Sequence, residues 1–200
     1  MTFADAGKEW LMEIRTLSVG MLGTQCYLLR AEAGAKGCVV IDPGAEPERI
    51  LKAAGEVEAI LLTHGHFDHI GAVRQILEAF PQAQLLIHPL DAPMLGDPGL
   101  NAGMGLLNRS ITAPEPTGFV REGESFSIAG IPFSVLHTPG HTPGSVCFRT
   151  GEDLFTGDTL FEHGWGRTDL PGGNNAEMMR SLRRLLPLAK KYRVHPGHEG

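Results

Sequence analysis

The chain has few means of stapling, wrapping or inserting itself. Three cysteines in 200 residues are too few, and odd in number, for a disulfide scaffold. Cys26, Cys38 and Cys147 each sit in an apolar, strand-like stretch, and none belongs to a Cys-x-x-Cys pair. They read as buried thiols in a reducing compartment. Positive charge is also scarce: 17 Lys and Arg against 23 Asp and Glu leave a net charge of −6, with no basic run. That excludes nucleic-acid binding driven by backbone charge. The longest apolar runs, Cys38–Ile41 and Ala59–Leu62, fall far short of the ~20 residues of a membrane helix. Met1–Trp10 lacks the charged start and apolar core of a signal peptide. The expectation is a cytoplasmic protein without nucleic-acid or membrane partners. With 26 Gly and 14 Pro the chain is loop-rich, yet at a fifth of its residues it stays below the ~25–30% of low-complexity disorder. Its length fits a single domain over residues 1–200.

Apolar patterning predicts strands at Trp10–Leu17, Gln25–Arg30, Cys38–Asp42, Val57–Leu62 and Leu85–His88. Helical patterns cover Pro47–Ala54 and Ile70–Phe80, with a turn at Asp91–Leu95. Asp97–Thr117 is the least regular segment, rich in Gly and Pro, and reads as a functional loop or a loose connection. Strands resume at Ser125–Ile128, Phe133–Leu136, Ser145–Arg149 and Asp153–Phe155. A helix at Glu177–Leu186 and a strand stub at Arg193–Val194 follow. Two β-rich halves, each with helices, suit an α+β αββα sandwich: two sheets face to face with helices outside.

The strongest chemical signal is Thr63-His64-Gly65-His66-Phe67-Asp68-His69, which directly follows a buried strand and precedes a helix. His64 and His66, two apart on extended backbone, point the same way. Asp68 and His69 can face a second ion beside the first. Imidazole nitrogen with carboxylate oxygen suits zinc, iron or manganese over calcium. Three further signals are His141 between two Pro-Gly turns, Asp158 in Thr-Gly-Asp-Thr after a short strand, and His198 after Pro196-Gly197. His137, at the end of the strand before His141, reads as structural or supporting.

The ordered set THGHFDH, TPGHTPGS, TGDTLF and PGH resembles the metallo-β-lactamase superfamily, and most closely its glyoxalase II-like, hydroxyacylglutathione hydrolase branch. The likeness runs from about Leu17 to His198. It implies the αββα fold with a metal site at one edge between the sheets. It implies His64, His66 and His141 on one divalent ion and Asp68, His69 and His198 on a second, with Asp158 bridging. Zinc is the first choice of metal, with iron or manganese compatible. Such a pair lowers the pKa of bound water from 15.7 to about 7. The bridging hydroxide would attack a small-molecule thioester such as S-D-lactoylglutathione, releasing a hydroxy acid and a free thiol. Asp68, the catalytic residue, would orient that hydroxide and accept its proton.

Glycine-rich Gly164–Asp169 looks like segments of glyoxalase II-like proteins and of persulfide dioxygenases. Arg167 there either meets a substrate carboxylate or pairs with Asp169. The C-terminal helical domain that grips glutathione in full-length glyoxalase II is missing from residues 1–200. A mononuclear iron persulfide dioxygenase and a lactonase are the alternatives. The commonest lactamases carry Arg and Cys where this chain has His69 and Asp158.

Overall fold

A computed structural model describes residues 12–199. The predicted strand at Trp10–Leu17 begins outside these residues, and its described part lies in β1 (Glu13–Val19). β1 is followed by β2 (Thr24–Arg30), β3 (Gly37–Ile41), helix α1 (Pro47–Ala54) and β4 (Glu56–Leu61). Then come helices α2 (Phe67–Ile70) and α3 (Val73–Ala79), β5 (Gln84–Ile87), α4 (Ala92–Gly96), α5 (Gly103–Leu107) and β6 (Gly118–Phe119). The second half holds β7 (Ser125–Ile128), β8 (Ile131–His137), β9 (Val146–Thr150), β10 (Asp153–Gly157), α6 (Asn175–Ala189) and β11 (Arg193–Pro196).

These strands form a six-stranded sheet in the order β1-β2-β3-β4-β5-β6 and a five-stranded sheet in the order β11-β10-β9-β8-β7. The first is antiparallel from β1 to β3 and parallel from β3 to β6. In the second, only β10 and β11 run parallel.

Strands covered on both faces read as continuous apolar runs, and alternate residues enter different cores. From β2, Tyr27 and Leu29 face the second sheet and pack with Phe133, Val135, Phe148 and Phe155. Cys26 and Leu28 face the other way, onto Ile50 of α1 and Val73 and Ile76 of α3. On the far side, Cys147 and Leu154 pack under Met178, Leu182 and Leu185 of α6. The four layers are therefore the predicted αββα sandwich. All three cysteines are free and buried, as read from sequence. Among the described residues no helix is long and apolar enough to cross a membrane.

Two predicted helices change shape. Ile70–Phe80 is broken between α2 and α3, because Ala72 N–H donates to Pro43 O (2.9 Å) instead of continuing a helical ladder. The Glu177–Leu186 helix extends to Ala189 with Pro187 in its last turn, where only one interior hydrogen bond is lost. Segment 97–117 is tied down rather than loose. Buried Asn101 donates from Nδ2 to Met94 O (3.0 Å) and Ile111 O (2.9 Å), and its Oδ1 accepts from Gly103 N–H (3.0 Å).

Candidate metal centre

The chemistry-bearing residues sit where strands end at one edge of the sandwich. β3 leads to Asp42, β4 to Thr63–His69, β5 to Asp91, the β8–β9 loop holds His141, β10 leads to Asp158 and β11 to His198. The two sheets are stitched together here by backbone bonds, Val146 N–H to Thr63 O (2.8 Å) and Gln25 N–H to Gly197 O (2.7 Å). Gly197 must be glycine: a Cβ there would collide with Asp158 Oδ1.

The edge brings all seven sequence-predicted donors together. His64, His66 and His141 form one group of converging donor atoms, and Asp68, His69 and His198 another. His64, His69 and Asp158 form a third that links them. His66 Nδ1 lies 2.8 Å from His141 Nε2. Asp158 reaches both sides, with Oδ1 3.3 Å from His69 Nε2 and Oδ2 3.4 Å from His141 Nε2 and 3.5 Å from His198 Nε2. Asp68 Oδ2 is 3.3 Å from His198 Nε2 and accepts from Thr24 Oγ1 (3.1 Å).

The outer ring nitrogens fix which nitrogen faces inward. His141 Nδ1 donates to Arg167 O (2.7 Å), and His198 Nδ1 to Leu22 O (3.1 Å). Thr63 Oγ1 donates to Asp42 Oδ2 (2.6 Å), so it accepts from His64 Nδ1 (3.1 Å). In each case the proton sits on the outer nitrogen and a bare lone pair points into the cluster, the arrangement in which histidine ligates a metal. His69 Nδ1 lies 3.0 Å from Asp42 Oδ2, though not aligned for a hydrogen bond.

Charge in the cluster is strained in both directions. Burial, with His141 nearby, pushes His66 down to about 3, and burial also holds His64 well below the usual imidazole value. Burial opposes ionisation of Asp68 and Asp158, yet His69 and His198 hold both carboxylates below their ordinary value. The same carboxylates, with Asp42, raise His69 against its burial, and Asp68 raises His198. His64 Nε2 and Asp158 Oδ1 are buried without a hydrogen-bond partner. Buried polar atoms are nearly always satisfied, so orphaned inward donors beside two ionised carboxylates fit a bound cation. The residues present therefore fit divalent ions, with a nitrogen-and-oxygen donor set.

Three contributions are not legible in the sequence, those of Asp42, of the Arg167 carbonyl and of Asp91. Asp42, in the left-handed region at φ 51°, accepts from Thr63 N–H (2.8 Å), so it holds the residue that orients His64, and its charge lies 3.0 Å from His69 Nδ1. Arg167 works through its backbone carbonyl on His141, while its guanidinium is held by Asp169, with Nε to Oδ1 at 2.6 Å and Nη2 to Oδ2 at 2.7 Å. Of the two roles left open for its side chain, the structure shows the ion pair. His137, read as supporting, donates from Nε2 to Pro143 O (2.9 Å) and stacks on His88, ring centroids 4.2 Å apart.

The third contributor is Asp91, fully buried. Its Oδ2 accepts from Gly65 N–H (3.0 Å) and Thr142 Oγ1 (2.6 Å), and its Oδ1 accepts from Gly144 N–H (2.6 Å). Gly65 lies between His64 and His66, and Thr142 follows His141. One carboxylate thus locks the two histidine-bearing loops together. Its fit is tight enough that a Cβ on Gly144 would meet the Asp91 side chain at 2.6 Å. Asp91→Asn swaps an acceptor for a donor facing a backbone N–H, and the expected result is a ~10–100-fold loss of metal affinity. Chelator competition, with the visible spectrum of the cobalt-substituted protein reporting altered ligand geometry, checks it. An unchanged spectrum and affinity would reduce Asp91 to a packing residue.

The geometry is that of a known family. The profile of the metallo-beta-lactamase superfamily matches residues 19–198. The chain is 35% identical over 195 residues to hydroxyacylglutathione hydrolase GloC of Haemophilus influenzae, covering 94% of this chain and 91% of that one. It superposes on BLEG-1, a B3 metallo-beta-lactamase, with a TM-score of 0.88 at 35% identity, covering 94% and 92% of the two chains. TTHA1623 in a di-iron-bound form gives a TM-score of 0.80 at 40% identity, covering 93% and 92%. The chain belongs to the metallo-beta-lactamase superfamily and is a metal-dependent hydrolase of that group.

Proposed function

We propose that the chain hydrolyses thioesters, with a hydroxyacyl thioester such as S-D-lactoylglutathione as a representative substrate. The observation that carries this reading is the all-histidine-and-aspartate donor set, two groups joined by Asp158, at the floor of a cleft of about 470 Å³. Similarity to the enzyme named hydroxyacylglutathione hydrolase supports it.

His64 Nε2, His66 Nδ1 and His141 Nε2 would hold one ion, and Asp68, His69 and His198 the other, with Asp158 within reach of both groups. Zinc is the proposed metal, and the di-iron form of TTHA1623 makes iron a compatible one. Divalent ions bound there supply an activated water and a Lewis-acid hold on the acyl carbonyl. The chain's own part is orientation. Arg167 O, Leu22 O and Thr63 Oγ1 fix three imidazoles so that their other nitrogens face into the donor cluster. Asp68, kept ionised by His69 and His198 despite its burial, is the carboxylate placed to accept a proton at the cleft floor. A thiol of pKa about 8.5 leaves readily as thiolate, so the lack of a strong acid among the lining residues is no obstacle. A second reading, β-lactam hydrolysis, rests on the likeness to BLEG-1.

The deciding assay follows thiol release from S-D-lactoylglutathione and ring opening of a chromogenic cephalosporin, each with and without chelator. Chelator-sensitive thiol release at the higher kcat/KM is expected. Faster lactam opening with no thiol release from folded, metal-loaded protein would overturn the thioester reading in favour of the second.

A further inference from the structure

The walls of the cleft differ sharply from its floor. Around the donor cluster stand Leu22, Phe67, Leu106, Leu107, Phe161 and Leu170. Among the described lining residues the only Lys or Arg is Arg167, and the Nε–Nη2 edge of its guanidinium, the edge that would grip a carboxylate in a forked pair, already faces the Asp169 carboxylate. Leu22 and Leu106 are each 48% exposed, and Met21 and Met104 beside them are exposed as well. A single exposed leucine is unremarkable, whereas several converging on one opening mark a ligand-binding surface.

These side chains are presented on fixed backbone. Leu22 O accepts the proton of His198 Nδ1, so the β1–β2 turn is tied to the donor cluster. Asn101, which anchors the 97–108 segment carrying Leu106, also accepts through its backbone carbonyl from Phe67 N–H (3.0 Å). The apolar wall is thus hung from the same residues that shape the floor. Its volume falls within the ~300–1,000 Å³ of sites that enclose drug-sized ligands, well beyond what a two- or three-carbon acyl group needs.

A peptide-like carrier with two carboxylates is recognised by cationic hydrogen-bond donors, paired guanidinium above all. The described walls offer no such pair: their single guanidinium has its Nε–Nη2 edge taken by Asp169. We infer that the cleft takes thioesters with a neutral, apolar acyl chain, seated on Leu22, Leu106, Leu107 and Phe161, and that it does not read carboxylates on the thiol carrier. This rests on the thioester reading.

The test uses the metal-loaded enzyme and a series of acetyl, butanoyl, hexanoyl and octanoyl thioesters, each made on N-acetylcysteamine and on glutathione. A fully buried methylene is expected to raise kcat/KM by about four-fold, and each half-exposed one by about two-fold. At fixed acyl chain, the change of carrier is expected to alter kcat/KM by less than about three-fold, as for an exposed, screened charge. Leu22→Ser and Leu106→Ser, both at exposed positions, should flatten the chain-length dependence. A flat or falling profile, or a ten-fold preference for the glutathione carrier, would overturn the inference while leaving thioester hydrolysis standing. Calorimetry separates the two ideas if no thioester is cleaved. Octanoate binding to the loaded protein at least about ten-fold more tightly than acetate would uphold the apolar wall, and equal affinities would remove it.

Discussion

Replacing His66 by alanine is expected to abolish turnover, lowering kcat/KM by at least ~10³-fold, and to cut metal content while the chain stays folded. His66 caps α2 on extended backbone, at φ −67° and ψ 151°, and this aims its ring at the ring of His141. Burial holds it neutral, with a value of about 3, so its lone pair is available at every working pH. The side chain makes no hydrogen bond outside the cluster, and its Nε2 has no partner. Truncation therefore costs the fold little, and the metal-free variant should melt within a few degrees of the metal-free parent, because a buried unsatisfied group is removed along with the contact. Elemental analysis after dialysis, circular dichroism melts and thiol release measure the three consequences. His163→Ala, at an exposed histidine outside the cluster, is the control and should leave all three unchanged. Unchanged kinetics in His66→Ala would sink the metal assignment.

What the sequence disclosed and what it concealed divide along a physical line. The convergence of the seven side chains is legible because His141, Asp158 and His198 sit beside strand ends and the other four follow β4 in one turn, and strand ends at one edge of a sandwich converge. HxHxDH carried the strongest signal, since strand–turn–helix geometry alone orients its members. The supports were not legible. Asp42 and Asp91 act on backbone N–H groups 21, 26 and 53 positions away, and a backbone donor leaves no mark in a sequence. In the sequence Arg167 stands out for its guanidinium, but it is its carbonyl that accepts from His141. The break between α2 and α3 has the same origin. Apolar residues recur at helical spacing through Gly71 and Ala72, yet Gly71 lies so close to Gly44 that any Cβ would collide with the Gly44 carbonyl. Tertiary contact there overrides periodicity. Segment 97–117 read as irregular because one buried asparagine, rather than a ladder or an apolar face, organises it.

Asp158→Asn should cost both ions, where a variant of a donor on one side only should cost chiefly its own. Asp158 is the residue that faces both groups, with Oδ2 between His141 on one side and His198 on the other, and Oδ1 toward His69. Asparagine keeps the shape but removes a negative charge and turns one acceptor into a donor. The expected result is a fall in kcat/KM of at least ~10³-fold, with less than half of the parent's metal content retained on dialysis. The metal-free protein offers a second, independent readout. Asp158 helps raise His69 above its usual imidazole value against burial. A raised histidine stabilises the folded state fully below its unfolded pKa, near 6.5, and that stability is lost as pH climbs through the folded value. The variant forfeits this part of the coupling, so the gap in melting temperature between parent and variant, both metal-free, should be wide at pH 6 and should narrow as pH rises. Breaking a buried, compensated pair costs about 3–5 kcal/mol, which sets the upper limit of that gap. A gap independent of pH would mean that Asp158 is not what holds the proton on His69. Retention of one tightly bound ion would mean that Asp158 serves a single group, and the bridge would have to be abandoned even if activity were lost.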